Sequence, residues 1–198
     1  AVQWLQFLSE LPGAPQDLPL ERFRDYVERR EHWLREIAAW HGCDREEAKN
    51  MMLICMFGGD PKHSFAAPLH PWVVQLVEDL SIVRREVVAF QNQVPHYKEL
   101  YDLKLTKKGG DVAATERSMF ALYIHEIEDC VMGHVMDFLA LQRIEVFSLI
   151  FDGVISSDCS EQLLRETEAY VEEACRFRIK LAEKPLYGLQ DEPVPELA

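Results

Sequence analysis

The sequence predicts an α+β fold that is mostly helical, with a small antiparallel sheet of about three strands near the carboxyl terminus. Apolar residues recur at helical spacing through most of the chain up to residue 141. An apolar, β-rich run over 146–151 then leads into the turn dipeptide Asp152-Gly153. The chain has 198 residues, 48% of them hydrophobic, and is therefore long enough to bury a substantial core.

The amino-terminal elements are a lead-in segment and an amphipathic helix. Residues 1–20 begin with an apolar stretch around Trp4 and are then interrupted by prolines, which predicts a segment that packs onto the body. From Leu20 to Trp40, large apolar residues recur at helical spacing among charged ones. Gly42 is placed to end this helix.

Three further helices are predicted in the middle of the chain. Asp44 is a favourable N-cap, and Glu47 follows at the capping-box spacing. The helix that they begin runs to the next glycine pair. The other helices are predicted from 72 to 91 and, as the longest, from 115 to 141, with an irregular basic segment over 97–110 between them.

The carboxyl-terminal part is predicted to contain a hairpin, a helix and a last strand. The runs 146–151 and 154–156 would pair antiparallel around the Asp152-Gly153 turn. Residues 161–175 have helical periodicity. From 177 to 181, apolar residues alternate with basic ones, which is typical of a half-exposed strand.

Composition narrows the class of protein. The formal net charge is −13, which argues against nonspecific adhesion to nucleic acid or to an anionic membrane surface. No signal peptide and no membrane-spanning run is present. The five cysteines show no Cys-x-x-Cys spacing, which favours reduced thiols in an intracellular protein without a zinc site. Because the sequence begins with Ala1 and not Met, we expect a fragment or a processed product.

The first motif with chemical content is Arg45-x3-Lys49-x7-Phe57-Gly58, on the helix that Asp44 caps. Steps of four residues place the two cations on one stripe of the helix, beside the positive helix amino terminus. Arginine offers a planar fork and lysine a compact charge to phosphate oxygens. The alternative is an exposed helix face with ordinary ion pairs between neighbouring turns.

The second motif is Asp152 at the predicted hairpin tip. A carboxylate there can bind a hard divalent cation, and such an ion can neutralise charge in phosphoryl or nucleotidyl transfer. The alternative is that Asp-Gly is only the favoured dipeptide of a tight turn. Asp158, shortly after, is either an additional ligand or a cap for the next helix.

A third set of residues lies on the longest helix. Two His-acid pairs at a spacing of three residues suggest a helical metal site and a metal-dependent hydrolase: His125 with Glu128, and His134 with Asp137. No second helix offers a matching Glu-x-x-His sequence, so a di-metal carboxylate bundle is disfavoured. Most of these polar residues are explained more simply as side chains on the solvent-facing side of the helix.

In this order, the motifs resemble those of family A DNA polymerases. Arg45-x3-Lys49-x7-Phe57-Gly58 resembles motif B, the fingers helix that grips the incoming nucleotide. Glu116-Arg117 opens a helix resembling the one before motif C, and 147–153 resembles motif C itself. The closest resemblance is to divergent polymerase modules of mobile elements and large DNA viruses. It implies a lead-in over 1–20, and it divides the rest into the following regions: fingers-like over 21–110, palm-like over 111–190, and a tail over 191–198.

The resemblance also implies roles for the nucleotide site. Arg45 and Lys49 would contact the triphosphate. Phe57 would stack near the nascent base pair, and Gly58 would let the helix end close to the template. Asp152 would be the catalytic carboxylate that holds one of two Mg2+ ions.

For the DNA itself, the resemblance implies that Arg117 and His125 face the minor groove of the primer–template. The family's second metal-binding aspartate, in motif A, has no equivalent in residues 1–40, because Asp17 and Asp25 lack a strand context. Phe151 and Gly153 also replace the family's His and Glu around the catalytic Asp.

Two functions therefore follow from the resemblance. The first is the fingers–palm portion of a family A-like DNA polymerase, incomplete without motif A, with dNTPs, Mg2+ and primer–template DNA as its partners. The second is a non-catalytic, polymerase-derived scaffold that binds protein partners within a larger assembly. The compartment is expected to be intracellular, with nucleus, mitochondrion and cytoplasm equally open.

Overall fold

The computed structural model describes residues 2–59, 68–150 and 153–183, and it is mostly helical with one small antiparallel sheet. The predicted α+β class is confirmed. In chain order the elements are α1 (Val2–Ser9), α2 (Glu21–Glu28), α3 (Arg30–His41), α4 (Arg45–Met56), α5 (Pro71–Gln91), α6 (Pro95–Lys107), α7 (Val112–Leu141), β1 (Val146–Ile150), β2 (Gly153–Ser156) and α8 (Glu161–Cys175). No helix in these stretches has the length and apolar character needed to cross a membrane.

The chain divides into two compact units, Ala1–Ile127 and Glu128–Ala198, and the division falls inside α7. We call them the first and second units. Each has its own apolar core. The predicted division into fingers-like and palm-like regions was drawn from the resemblance alone, and it stays a prediction.

The lead-in segment packs onto the first unit as predicted, because Leu5 and Leu8 of α1 are buried in its core. The single helix predicted over 20–40 is wrong: it is broken at Arg29, whose φ of −117° and ψ of 35° lie outside the helical region. The Asp25 carboxylate stabilises the break, since it accepts hydrogen bonds from Arg29 Nε (2.5 Å) and Trp33 Nε1 (2.8 Å).

Helix α4 begins as predicted. Asp44 accepts a hydrogen bond from the Glu47 backbone N–H (2.8 Å), and Glu47 accepts one from the Asp44 N–H (3.0 Å), which completes the capping box. The buried face of the helix packs into the core of the first unit. Phe57 and Gly58 follow its last turn, with Gly58 at a φ of +76°.

The irregular segment predicted over 97–110 is wrong, because most of it forms helix α6. Pro95 opens this helix at a position where its missing N–H is harmless. One side of α6 packs against the core, and the Tyr97 hydroxyl donates to Glu126 Oε2 (2.8 Å). Charged residues of both signs occupy the exposed side of α6, so the sequence shows only a weak apolar stripe for its contacting side.

In the second unit, β1 and β2 pair antiparallel with Ile150 opposite Gly153. Gly153 therefore belongs to β2 and not to the turn, and residues 151 and 152 between the strands lie outside the described part of the chain. A third strand over 177–181 is wrong, since this stretch has no regular secondary structure. The backbone of Leu181 bonds instead to side chains of α8, with its N–H 2.6 Å from Glu168 Oε1 and its carbonyl 2.7 Å from Arg165 Nη2.

Candidate functional site

The two cations predicted to bind phosphate lie at the amino-terminal end of α4, and both are ion-paired. Arg45 donates to both carboxylate oxygens of Glu31 on α3 (2.8 and 2.5 Å) and to Glu46 (2.7 Å). Lys49 Nζ lies 2.9 Å from the other Glu46 oxygen. The hydrogen bond with Glu31 raises the pKa of Arg45. The hydrogen bonds from Arg45 and Lys49 lower the pKa of Glu31 and Glu46, respectively.

These ion pairs agree with the alternative interpretation of the motif, in which Arg45 and Lys49 lie on an exposed helix face and pair with neighbouring carboxylates. The Arg45 side chain is about half exposed, at 47%, and Lys49 is 35% exposed. Both are thus accessible to a ligand, but a phosphate would have to replace Glu31 and Glu46 as their partner. Their role in nucleotide binding stays a prediction.

Four other predicted residues meet at the opposite end of α4. The rings of Phe57 and His125 lie 6.2 Å apart, measured between centroids. A Cβ on Gly58 would lie 2.9 Å from Cδ of Arg117. Residues from the end of α4 and from α7 thus form one cluster within the first unit.

A pocket of about 560 Å³ opens beside this cluster. Its lining contains two basic side chains and no acidic one; the lining residues are Leu53, Ile54, Phe57, Gly59, Lys108, Ala114, Arg117 and Ser118. Phe57 is 39% exposed, so part of this aromatic residue is accessible at the edge of the pocket. The pocket can accept an anion with a planar apolar group attached.

The predicted site is therefore divided along α4. Arg45 begins this helix and Phe57 follows its end, so the helix rise separates them by about 18 Å. The cation pair and the aromatic cluster cannot contact one phosphate group together. An extended ligand that lies along α4 would be needed to reach both.

The predicted catalytic residue, Asp152, lies outside the described residues. Across the described stretches, no three His, Cys, Asp or Glu side chains converge as a metal site. The alternative pair His134 and Asp137 is separated by 4.0 Å between Nδ1 and Oδ2. Mg2+ binding stays a prediction from the resemblance.

Arg84 belongs to this region although none of the sequence motifs indicates it. It lies on α5 and is only 9% exposed, next to Gly58 and Arg117. A signal was present, because Arg84 stands four residues after Leu80 and eight after Leu76, both buried on the inner face of α5. The helical periodicity thus places Arg84 on the buried face of α5 and its neighbour Arg85 on the exposed face.

Comparison with known proteins relates most of this chain to part of a viral protein. The chain is 26% identical over 166 residues to a protein of Sputnik virophage that carries the name "Putative helicase V13". The match covers 82% of this chain and 21% of that protein, so the chain spans about a fifth of the length of this curated relative. No family model matches the chain, and no solved structure matches it.

Proposed function

We propose that this chain is the fingers–palm portion of a family A-like DNA polymerase, carried within a larger viral or mobile-element replication protein. The observation that carries the proposal is the convergence of Phe57, Gly58, Arg117 and His125 beside one pocket. The polymerase resemblance assigns these residues to the nascent base pair and the primer–template. The assignments come from two separate parts of the sequence, the end of α4 and the first part of α7.

The virophage relative supports the context of this proposal. Its name refers to a helicase, and a helicase exposes the single strand that a polymerase copies. About four fifths of that protein lies outside the match, which leaves room for a separate unwinding activity. The matched segment would then supply a different step of DNA replication.

In the proposed site, Arg45 and Lys49 bind the triphosphate after exchanging Glu31 and Glu46 for phosphate oxygens. The fork of Arg45 already binds two oxygens of one carboxylate, and a phosphate offers the same geometry with more charge. Phe57 offers its exposed ring to the base. Asp152 would require a second carboxylate, corresponding to motif A, to complete a two-metal site.

A second candidate function is a non-catalytic scaffold subunit derived from a polymerase. It is favoured by the ion pairs of Arg45 and Lys49, which satisfy both cations without a nucleotide.

Calorimetry of Mg2+-dependent dNTP binding separates the two functions. The wild-type chain is compared with Arg45→Ala, Lys49→Ala and Asp152→Ala, and with Arg85→Ala as a control, because Arg85 is also an exposed, ion-paired arginine. We expect binding by the wild type and the control, with loss in the other three. A folded wild-type chain that binds no dNTP would contradict the polymerase proposal and favour the scaffold.

A further inference from the structure

Arg84 is a buried cation without a partner in the described part of the chain. Its side chain lies on the inner face of α5, and the residue is 9% exposed. It forms no hydrogen bond with any described residue, and none of their carboxylate oxygens lies within 4.0 Å of its guanidinium nitrogens. Arg45, by contrast, is half exposed and has two carboxylate partners.

The guanidinium of Arg84 lies directly against the backbone that borders the pocket. A Cβ placed on Gly58 would lie 1.9 Å from Arg84 Nη1 and 2.7 Å from its Cζ. The same position is 2.9 Å from Cδ of Arg117 on α7. Two arginine side chains, from α5 and α7, therefore approach each other beside Gly58, whose neighbours Phe57 and Gly59 line the pocket.

The electrostatics of this pair are unfavourable without a ligand. Burial lowers the pKa of Arg84, and the positive charge of Arg117 lowers it further. Glu116 acts in the opposite direction, but it is the smallest of these influences and lies beyond ion-pair distance. Arginine stays charged at neutral pH, so a partly desolvated guanidinium beside a like charge would be stabilised by an anion that neutralises it.

We propose that Arg84 and Arg117 form a phosphate-binding pair beside Gly58, which takes a phosphate group of a nucleotide or of a nucleic-acid strand. Two planar forks match the charge and the oxygen geometry of a phosphate. Lys108 on the pocket wall adds a third positive charge, and Phe57 provides a stacking face for an attached base. This site is distinct from Arg45 and Lys49, and it does not depend on polymerase activity.

The test compares Arg84→Met with Arg85→Met in the full chain, with EDTA present so that no Mg2+ contributes. Arg85 is the adjacent residue, is exposed and is paired with Glu86, so it controls for loss of one positive charge. The probes are inorganic pyrophosphate, dTTP and a short fluorescein-labelled oligo-dT strand. We expect the Arg84 variant to bind at least one of them about tenfold more weakly, and the Arg85 variant to bind as the wild type does.

The probes distinguish the source of the phosphate. Weaker binding of pyrophosphate and dTTP supports a site for a free nucleotide, whereas weaker binding of oligo-dT alone supports a site for the strand backbone. Wild-type affinity of Arg84→Met for all three probes, or no binding of any probe by the wild type, would overturn the proposal. A failure of Mg2+-dependent dNTP binding at Arg45 leaves this result unaffected, so the two proposals fail separately.

Thermal unfolding without ligand provides an independent readout. Methionine replaces an unpaired buried charge with an apolar chain of similar length, so we expect the Tm of Arg84→Met to equal or exceed that of the wild type. A lower Tm would show that Arg84 serves the fold and would contradict the proposal. If Arg84→Met does not fold, Arg84→Lys keeps the charge without the fork, and wild-type affinity in that variant would also contradict it.

Discussion

At Gly58 the chain leaves α4 with a backbone φ of +76°, and the guanidinium of Arg84 occupies the space that a side chain would need. Two separate physical constraints act at this position. A left-handed backbone disfavours any L-residue with a Cβ, and the Cβ itself would meet Arg84 at 1.9 Å. Gly42 carries only the first constraint, because its φ is +65° and no atom lies within 4 Å of its Cβ position.

This contrast predicts that Gly58→Ala destabilises the protein more than Gly42→Ala. We expect about 1 kcal/mol for Gly42→Ala from backbone strain alone, and about 2 kcal/mol or more for Gly58→Ala. Urea unfolding at equilibrium measures both. In an Arg84→Ala background, the cost at Gly58 should fall toward that at Gly42 and stay above it, because Cδ of Arg117 still lies 2.9 Å from the Cβ position. Equal costs in the wild-type background would contradict the steric role of Arg84.

At the scale of elements, the capping box of α4 and the bounds of α8 were predictable because their signals are local. Asp44 and Glu47 stand three residues apart, and 161–175 was predicted as the helix that the structure shows. Helix α6 and the stretch 177–181 were predicted wrongly, because their backbone structure is decided by distant partners. Tyr97 bonds to α7, and Leu181 bonds to α8.

The contact between α3 and α4 gives a prediction at this scale. Arg45 lowers the pKa of Glu31 below its ordinary value of 4.5. The stability that this pair contributes is therefore present above pH 4.5 and is lost as the pH falls through the lowered pKa. We expect the pKa of Glu31, measured by NMR titration, to rise toward 4.5 in Arg45→Ala.

Arg24→Ala is the control for this titration, because Arg24 is exposed on α2 and does not contribute to the shift of Glu31. It should leave the titration of Glu31 unchanged. If Glu31 titrates identically in the wild type and in Arg45→Ala, the ion pair does not persist in solution. Arg45 would then be available to a phosphate without an exchange of partners.

At the scale of the whole molecule, the two units differ in the size of their cores. The core of the first unit draws on helices α1 to α5 and the first part of α7. The described core of the second unit is small and consists of Val135, Phe138, Leu139, Leu163 and Val171. Because apolar burial supplies most of the stabilising free energy, the second unit should open more readily.

Hydrogen exchange tests this difference. We expect the amides of α8 to exchange faster than those of α5, because α8 is held by the smaller core while α5 buries one face along its whole length. Both are helices with satisfied internal hydrogen bonds, so intrinsic helicity does not account for the difference. Equal protection in α5 and α8 would show instead that the two units unfold together.

Local sequence signals are enough to predict the helical character of the chain, the capped start of α4 and the β-hairpin, because hydrophobic periodicity and turn chemistry act over a few residues. Which charged side chains are paired and which are buried depends on tertiary contacts. These contacts pair Arg45 with Glu31 from another helix, and they bury Arg84 beside Arg117 without a partner in the described chain. The reason is that a charge acts through space, so its partners and its exposure depend on how helices distant in sequence pack together.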